Sequence, residues 1–166
     1  LKNLEAEARS AKTQGDITDI KNRFKELDSV IKSKGLTGKS IFDELGRGFK
    51  QIGQFVGTYG ALQQTVNVIT NSIGELKSID GILTEISKTS DLTTGQLKTL
   101  GETSFDSASK YGKKASDYLT GVQELSRSGY YGDKAAELAQ LRVIAQAAGD
   151  INANAANSYL LAYNDA

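Results

Sequence analysis

Two pairs of acidic side chains stand four residues apart, Glu102 with Asp106 and Asp133 with Glu137. On a helix that spacing places both carboxylates on one face, which is how a glycosidase could present its acid and its second carboxylate. Nothing around either pair signals a cleft, and acidic pairs are more simply explained as solvated surface or as charge near a helix start. Ser, Thr and Asp are plentiful, but the chain has no His to act as general base and no Cys to act as nucleophile or thiolate ligand. A Lys base would have to be buried with a depressed pKa, and no Lys falls on a clear apolar face. The glycines form neither a phosphate-binding loop nor a dinucleotide motif. Tyr130-Tyr131-Gly132 reads as a turn whose rings pack on the surrounding helices. No catalytic, cofactor-binding or metal-ligating residues are expected, and no enzyme activity.

The elements that carry these residues can be read from composition. Among 166 residues 20 are basic and 20 acidic, and hydrophobic residues make up 39%. Balanced charge argues against specific nucleic-acid binding, which draws on an excess of Lys and Arg. The absence of Pro suits long helices with few interruptions, and no alternating apolar run bounded by turns reads as a strand. With no Met, and with Leu1 to Lys12 charged throughout, the chain reads as an excerpt of a longer polypeptide without a signal peptide. Three zones are expected: a charged helical or coiled-coil segment at 1–34, a glycine-rich and nearly uncharged coiled-coil segment at 35–80, and a helical domain at 81–166.

One heptad register runs through the first two zones. Ile17, Ile20, Phe24, Leu27 and Ile31 follow steps of three and four. The same count lands on Ile41, Leu45, Ile52, Phe55, Tyr59, Leu62, Val66, Ile69, Ile73 and Leu76. Only Lys34, Gly38 and Gly48 interrupt it. A seam of this kind drives helices to supercoil and is the expected oligomer interface. At 1.5 Å per residue its 60 residues would reach about 90 Å, as one rod or as two with a local break near Gly35. An amphipathic helix pair inside a globular bundle is the competing explanation.

Within that seam Gln51 to Gly74 carries no charge, although coiled-coil flanks ordinarily carry Glu and Lys. Gly46, Gly53, Gly60, Gly74 and Gly81 form a row with a seven-residue period, missing only at Asn67. A mid-helix Gly costs about 1 kcal/mol relative to Ala, so the row either lets another backbone approach closely or softens a rod that must bend. Gly53 and Gly57 have the spacing of membrane-helix dimers. However, Gln51, Gln54, Gln63, Gln64, Asn67 and Asn71 are too polar to face lipid, which leaves only an oligomeric pore with amides lining water.

The last zone is punctuated differently. Thr93 with Gln96 fits a capping box before a helix bearing Leu97, Leu100, Phe105, Ala108 and Tyr111. Lys114 or Ser116 opens a helix with Leu119, Val122 and Leu125, stopped at Ser128-Gly129. Asp133 is expected to cap a third, with Leu138, Leu141, Ile144 and Ala145 inward, closed by Gly149. Asp150 is expected to cap a fourth with Ile151, Ala155, Leu160 and Tyr163. Ala135, Ala139, Ala147, Ala148, Ala153 and Ala156 are expected to be buried at close contacts. The short connections predict a compact bundle of antiparallel neighbours. The expected fold class is all-α, long heptad coiled-coil helices followed by that bundle.

The phrases of this zone carry a resemblance. LTEISKTSDL from Leu83 to Leu92, FDSASKYG from Phe105 to Gly112, DYLTGVQELSRSG from Asp117 to Gly129, and the run from Ala135 to Asp150 resemble the core region of phage tail tape measure proteins. The likeness covers about residues 80–166, and the coiled-coil zone before it is the usual neighbour of that core. The resemblance implies a structural protein of the virion, a homo-oligomer with three chains favoured, lying in the lumen of the phage tail. It would be assembled in the cytoplasm of the host bacterium, template the stacking of tail tube subunits and so set tail length. At infection it would be ejected ahead of the genome. The partners implied are tail tube proteins, distal tail or baseplate hub proteins and tail assembly chaperones, with a transient membrane contact. A cell-wall-cleaving activity found in some family members has no counterpart here. Two other classes remain open: an envelope-penetrating helical channel for genome delivery, and a generic coiled-coil scaffold.

Overall fold

The computed structural model describes residues 1–36, 39–54, 59–149 and 152–164; for 39–41, 44, 51–54, 59, 61, 163 and 164 it describes the backbone alone. Among the described residues there are nine helices and no strand, so the chain is all-α. The helices are α1 (Lys2–Ser10), α2 (Gln14–Glu26), α3 (Asp28–Ser33), α4 (Lys39–Gln54), α5 (Tyr59–Thr89), α6 (Thr94–Ser109), α7 (Ala115–Arg127), α8 (Gly132–Gly149) and α9 (Ala153–Asn164). The chain divides into two compact units, Leu1–Ser78 and Ile79–Ala166, with the division inside α5.

In the first unit α2 opens on a reciprocal cap that satisfies donors the first turn leaves free. Thr13 Oγ1 accepts from the Asp16 amide at 3.1 Å, and Asp16 Oδ2 accepts from the Thr13 and Lys12 amides at 2.8 Å each. Those backbone donors, Lys12 first, hold the Asp16 carboxyl below its ordinary pKa. The other end of the α2–α3 segment is a stop. The Leu36 amide donates to the Ile31 carbonyl at 3.1 Å and the Gly35 amide to the Lys32 carbonyl at 3.2 Å. Gly35 has φ +74°, a left-handed conformation that Gly adopts without a Cβ penalty. Leu36 is then buried behind the turn.

The seam is therefore not carried by one helix. It is divided by the α2–α3 junction at Leu27 and by the stop at Gly35 before α4 begins. Heptad phase records the spacing of side chains and is blind to the path of the backbone between them, which is why it crosses a stop unaltered. Ile17, Ile20 and Phe24 form the buried face of α2, and Phe24 meets the rings of Phe42 and Phe49 on α4 at centroid distances of 5.9 and 6.3 Å. Each such side chain contributes about 1.5–3 kcal/mol through burial.

In the second unit each helix from α6 onward packs on the next in chain order. The α6 cap is the expected one, with Thr93 Oγ1 accepting from the Gln96 amide at 3.3 Å and Gln96 Oε1 from the Thr93 amide at 2.9 Å. Phe105 and Ala108 are buried, with Leu97, Leu100 and Tyr111 half-buried beside them. On α7 Leu119, Val122 and Leu125 are all buried, and Gly129 (φ +93°) ends the helix where Ser128-Gly129 signalled it. The Tyr130 amide donates there to the Leu125 carbonyl at 3.0 Å.

The last two helices differ from expectation. Asp133 lies inside the first turn of α8, one residue past its start. The buried face of α8 is Ala135, Leu138, Ala139, Arg142 and Val143, while Leu141 is 42% exposed and Ile144 and Ala145 are only half-buried. Apolar residues surround most of α8, so its periodicity does not select one side; the small Ala135 and Ala139 decide it by giving close approach. Ala156 is buried as expected, Ala153 is half-buried, and Ala147, Ala148 and Ala155 are exposed. Asn152 caps α9, its Oδ1 accepting from the Ala155 amide at 2.9 Å. Asp150 and Ile151 lie outside the described residues, as does the side chain of Tyr163. Of the turn aromatics, Tyr131 is 58% exposed and Tyr130 half-buried.

Candidate functional site

The expected interface residues are mostly covered within their own chain. Ile17, Ile20, Phe24, Ile31, Leu45, Val66, Ile69, Ile73 and Leu76 are all buried, and Leu27 and Leu62 are half-buried. Phe55 lies outside the described residues, and so do the side chains of Ile41, Ile52 and Tyr59. Gly48, which interrupts the register, is buried too; a Cβ there would stand 3.2 Å from Ile69 Cγ1 on α5, so α4 and α5 meet closely at this point.

The stripe that α5 buries is broader than a heptad seam. Thr65, Thr70 and Ser72 flank Val66, Ile69 and Ile73, and all three are at most 5% exposed. A two-stranded coiled coil covers a narrow line of positions, whereas a helix in a globular bundle covers one flank or both. The width costs hydrogen bonds: Thr70 Oγ1 and Ser72 Oγ are buried with no partner among the described residues. A buried hydroxyl left in that state is destabilising by about 1–3 kcal/mol.

The glycine row behaves unevenly in the single chain. Gly46, Gly60 and Gly81 are exposed, with nothing within 4 Å of where a Cβ would point. Gly74 faces Glu5 Oε1 at 3.6 Å. The side-chain space around Gly53 lies outside the described residues.

Glu5 is a site the sequence reading passed over. It is buried on the face of α1 that also carries Leu4 and Ala8, and its carboxylate takes Arg9 Nη2 at 2.8 Å and the Lys77 ammonium from α5. The Lys77 hydrogen bond, then that of Arg9, holds the Glu5 carboxyl below its ordinary pKa. No local signal reveals such a pair, because its partners are 72 positions apart.

The second unit holds a buried guanidinium. Arg142 on α8 is 3% exposed, and its Nη2 lies 3.3 Å from Glu124 Oε2 on α7. Asn157 Nδ2 on α9 donates to the same carboxylate oxygen at 3.5 Å. Arg142 Nε and Nη1 and Asn157 Oδ1 have no partner among the described residues. Gly121 makes room for the group: a Cβ there would stand 2.6 Å from Arg142 Nη1 and 3.5 Å from the Ala139 Cβ. Nearby, Tyr118 donates its hydroxyl to the Ala136 carbonyl at 3.3 Å, and burial raises its phenol pKa. Counting α8 from Ala135 in steps of three and four would have reached Arg142.

The acidic pairs are solvated. Glu102, Asp106, Asp133 and Glu137 are exposed, with Lys98 3.8 Å from Glu102 and Lys134 3.8 Å from Glu137. Among the described residues no three acidic side chains converge as a metal site, and no helix is long and apolar enough to cross a membrane. Comparison of the chain with protein-family models, curated proteins and solved structures gave no match.

Proposed function

We propose that this chain is a segment of a phage tail tape measure protein, a structural rod that lies in the tail lumen and sets tail length. The ordered helical phrases from Leu83 to Asp150 are the observation that carries the reading. Its all-α architecture supports it, because a helix converts residue number into length at a fixed rise. In the assembled tail the residues from Ile17 to Leu76 form long heptad coiled coils between copies, three chains being favoured. There the exposed Gly46, Gly60 and Gly81 lie against a neighbouring backbone. Residues 81–166, which follow in sequence, form a compact antiparallel helical domain. Tube subunits stack around the rod, hub proteins hold one end, assembly chaperones keep it soluble beforehand, and ejection precedes the genome.

The test is tail length. Removing 28 residues, four whole heptads, from the helical seam should shorten tails by about 42 Å if each residue adds 1.5 Å. Tails of unchanged length, seen by electron microscopy of the particles, would rule the reading out.

A further inference from the structure

We propose that the groove between α2 and α4 is a docking site for α8 of a second copy of the chain. The contact belongs to the chain folded as described, is additional to the seam, and does not depend on the tape-measure reading.

The groove is built on one side of α2. Ile17, Lys21 and Lys25 follow one another at four-residue steps and so share a helix face. Together with Phe49 of α4 they line a cavity of about 210 Å³, and the rest of its lining is uncharged. Buried Ile17 and half-buried Phe49 make its apolar wall, while Lys21 is half-buried and Lys25 exposed. Neither ammonium has an ion-pair partner among the described residues, whereas Arg23, on the far side of α2, is paired with Glu7. Drawing Lys21 partly out of water without a countercharge is unfavourable, and a carboxylate placed across from it offsets that cost. The matching occupant carries two carboxylates and an apolar side chain.

The exposed face of α8 has that pattern. Its buried face, set by Ala135 and Ala139, turns Asp133, Glu137 and Leu141 outward, again at four-residue steps. Leu141 is 42% exposed. Asp133 has no ion-pair partner among the described residues. Glu137 has only Lys134 at 3.8 Å, with side chains 65% and 50% exposed, a bridge of little worth.

The two ladders match when the helices run antiparallel. Lys25 then meets Asp133, Lys21 meets Glu137, and Leu141 reaches the apolar wall of Ile17 and Phe49. Each four-residue step spans about 6 Å on both helices, so the three contacts stay in register. The groove and α8 are different surfaces of one chain, so the contact is heterologous: each joined copy leaves a groove or an α8 for the next.

The experiment uses the whole chain and sedimentation across a concentration series. Lys21→Glu with Lys25→Glu, and separately Asp133→Lys with Glu137→Lys, should each weaken self-association about ten-fold. Mixing the two variants should restore it, because each then finds a groove and an α8 of opposite charge in the other. A wild-type chain that stays monomeric throughout the series would overturn the proposal. So would variants that associate like the parent, or a mixture no larger than its components. If a reversal loses its helical signal, cross-linking decides, since the chain has no Cys of its own. A Lys25→Cys copy should form a disulfide with an Asp133→Cys copy faster than an Asp19→Cys copy does, because Asp19 lies with Arg23 outside the groove. Equal rates would overturn the docking. The result is separable from the tail-length test: a chain that associates in this register, yet whose deletion leaves tails unaltered, keeps the docking and loses the tape-measure reading.

Discussion

In the first unit the buried charge is Glu5, whose partner Lys77 comes from 72 positions away with its own side chain 43% exposed. In the second it is Arg142, whose partner Glu124 stands on the preceding helix; the guanidinium is 4% exposed and is joined through that carboxylate to Asn157. Each pair has one end buried and the other partly exposed, Lys77 by 43% and Glu124 by 34%, so what differs is the support left to the buried end. Glu5 keeps Arg9 at 2.8 Å when Lys77 leaves, so that pair loses little when it opens. A guanidinium enclosed on all sides has no such substitute, so losing its carboxylate is costly. The first unit is thus tied by a contact that can be undone, and the second by one that fixes how α7, α8 and α9 meet.

The largest expected effect breaks the second tie. Glu124→Ala leaves Arg142 buried without a countercharge and should cost about 3 kcal/mol in chemical denaturation, the low end for a buried pair because Glu124 is itself partly exposed. Replacing both partners, Arg142→Met with Glu124→Leu, should recover most of that loss. A single variant as stable as the parent would erase the contrast between the units. Next comes Gly121→Ala, whose new methyl group would crowd Arg142 Nη1. It should destabilise the second unit by about 1–3 kcal/mol; the same change at Gly60, which faces open space, should not destabilise the first.

The smallest effect is one of pH. Glu5 and Asp16 in the first unit, and Glu85 beside Lys88 in the second, have carboxyl pKa values below the ordinary range. A lowered folded-state value contributes stability that is complete above the unfolded value and is lost as pH falls through the folded one. Acidification below the ordinary carboxylate range should therefore raise hydrogen exchange in α1 and α2. Exchange there that acid leaves unchanged would contradict it.

How much the sequence discloses also divides along this line. The second unit writes its boundaries in local chemistry, so Thr93, Gln96 and the Ser128-Gly129 stop are legible one by one. Its misread part, the inward face of α8, fails because Leu141 and Val143 are equally apolar, and the close approach at Ala135 and Ala139, with Gly121 opposite Ala139, selects between them. The first unit writes almost nothing locally between Gln51 and Gly74. Its period places Val66, Ile69, Ile73 and Leu76 in a core, yet periods of 3.5 and 3.6 residues differ by only about 20° per heptad. A narrow intermolecular seam and a broad intramolecular face therefore look alike until Thr65, Thr70 and Ser72 are seen to be covered. The Glu5–Lys77 and Arg142–Glu124 pairs depend on which helices become neighbours, and no short window contains that information.

Tyr118 gives the chain an optical handle that its lack of Trp would otherwise deny it. With its hydroxyl enclosed against Ala136, the phenol ionises above the ordinary tyrosine range for as long as α7 and α8 remain packed. Ultraviolet absorbance during alkaline titration thus follows the joining of those two helices without a label, and a return of that phenol to ordinary behaviour would mark the moment they part.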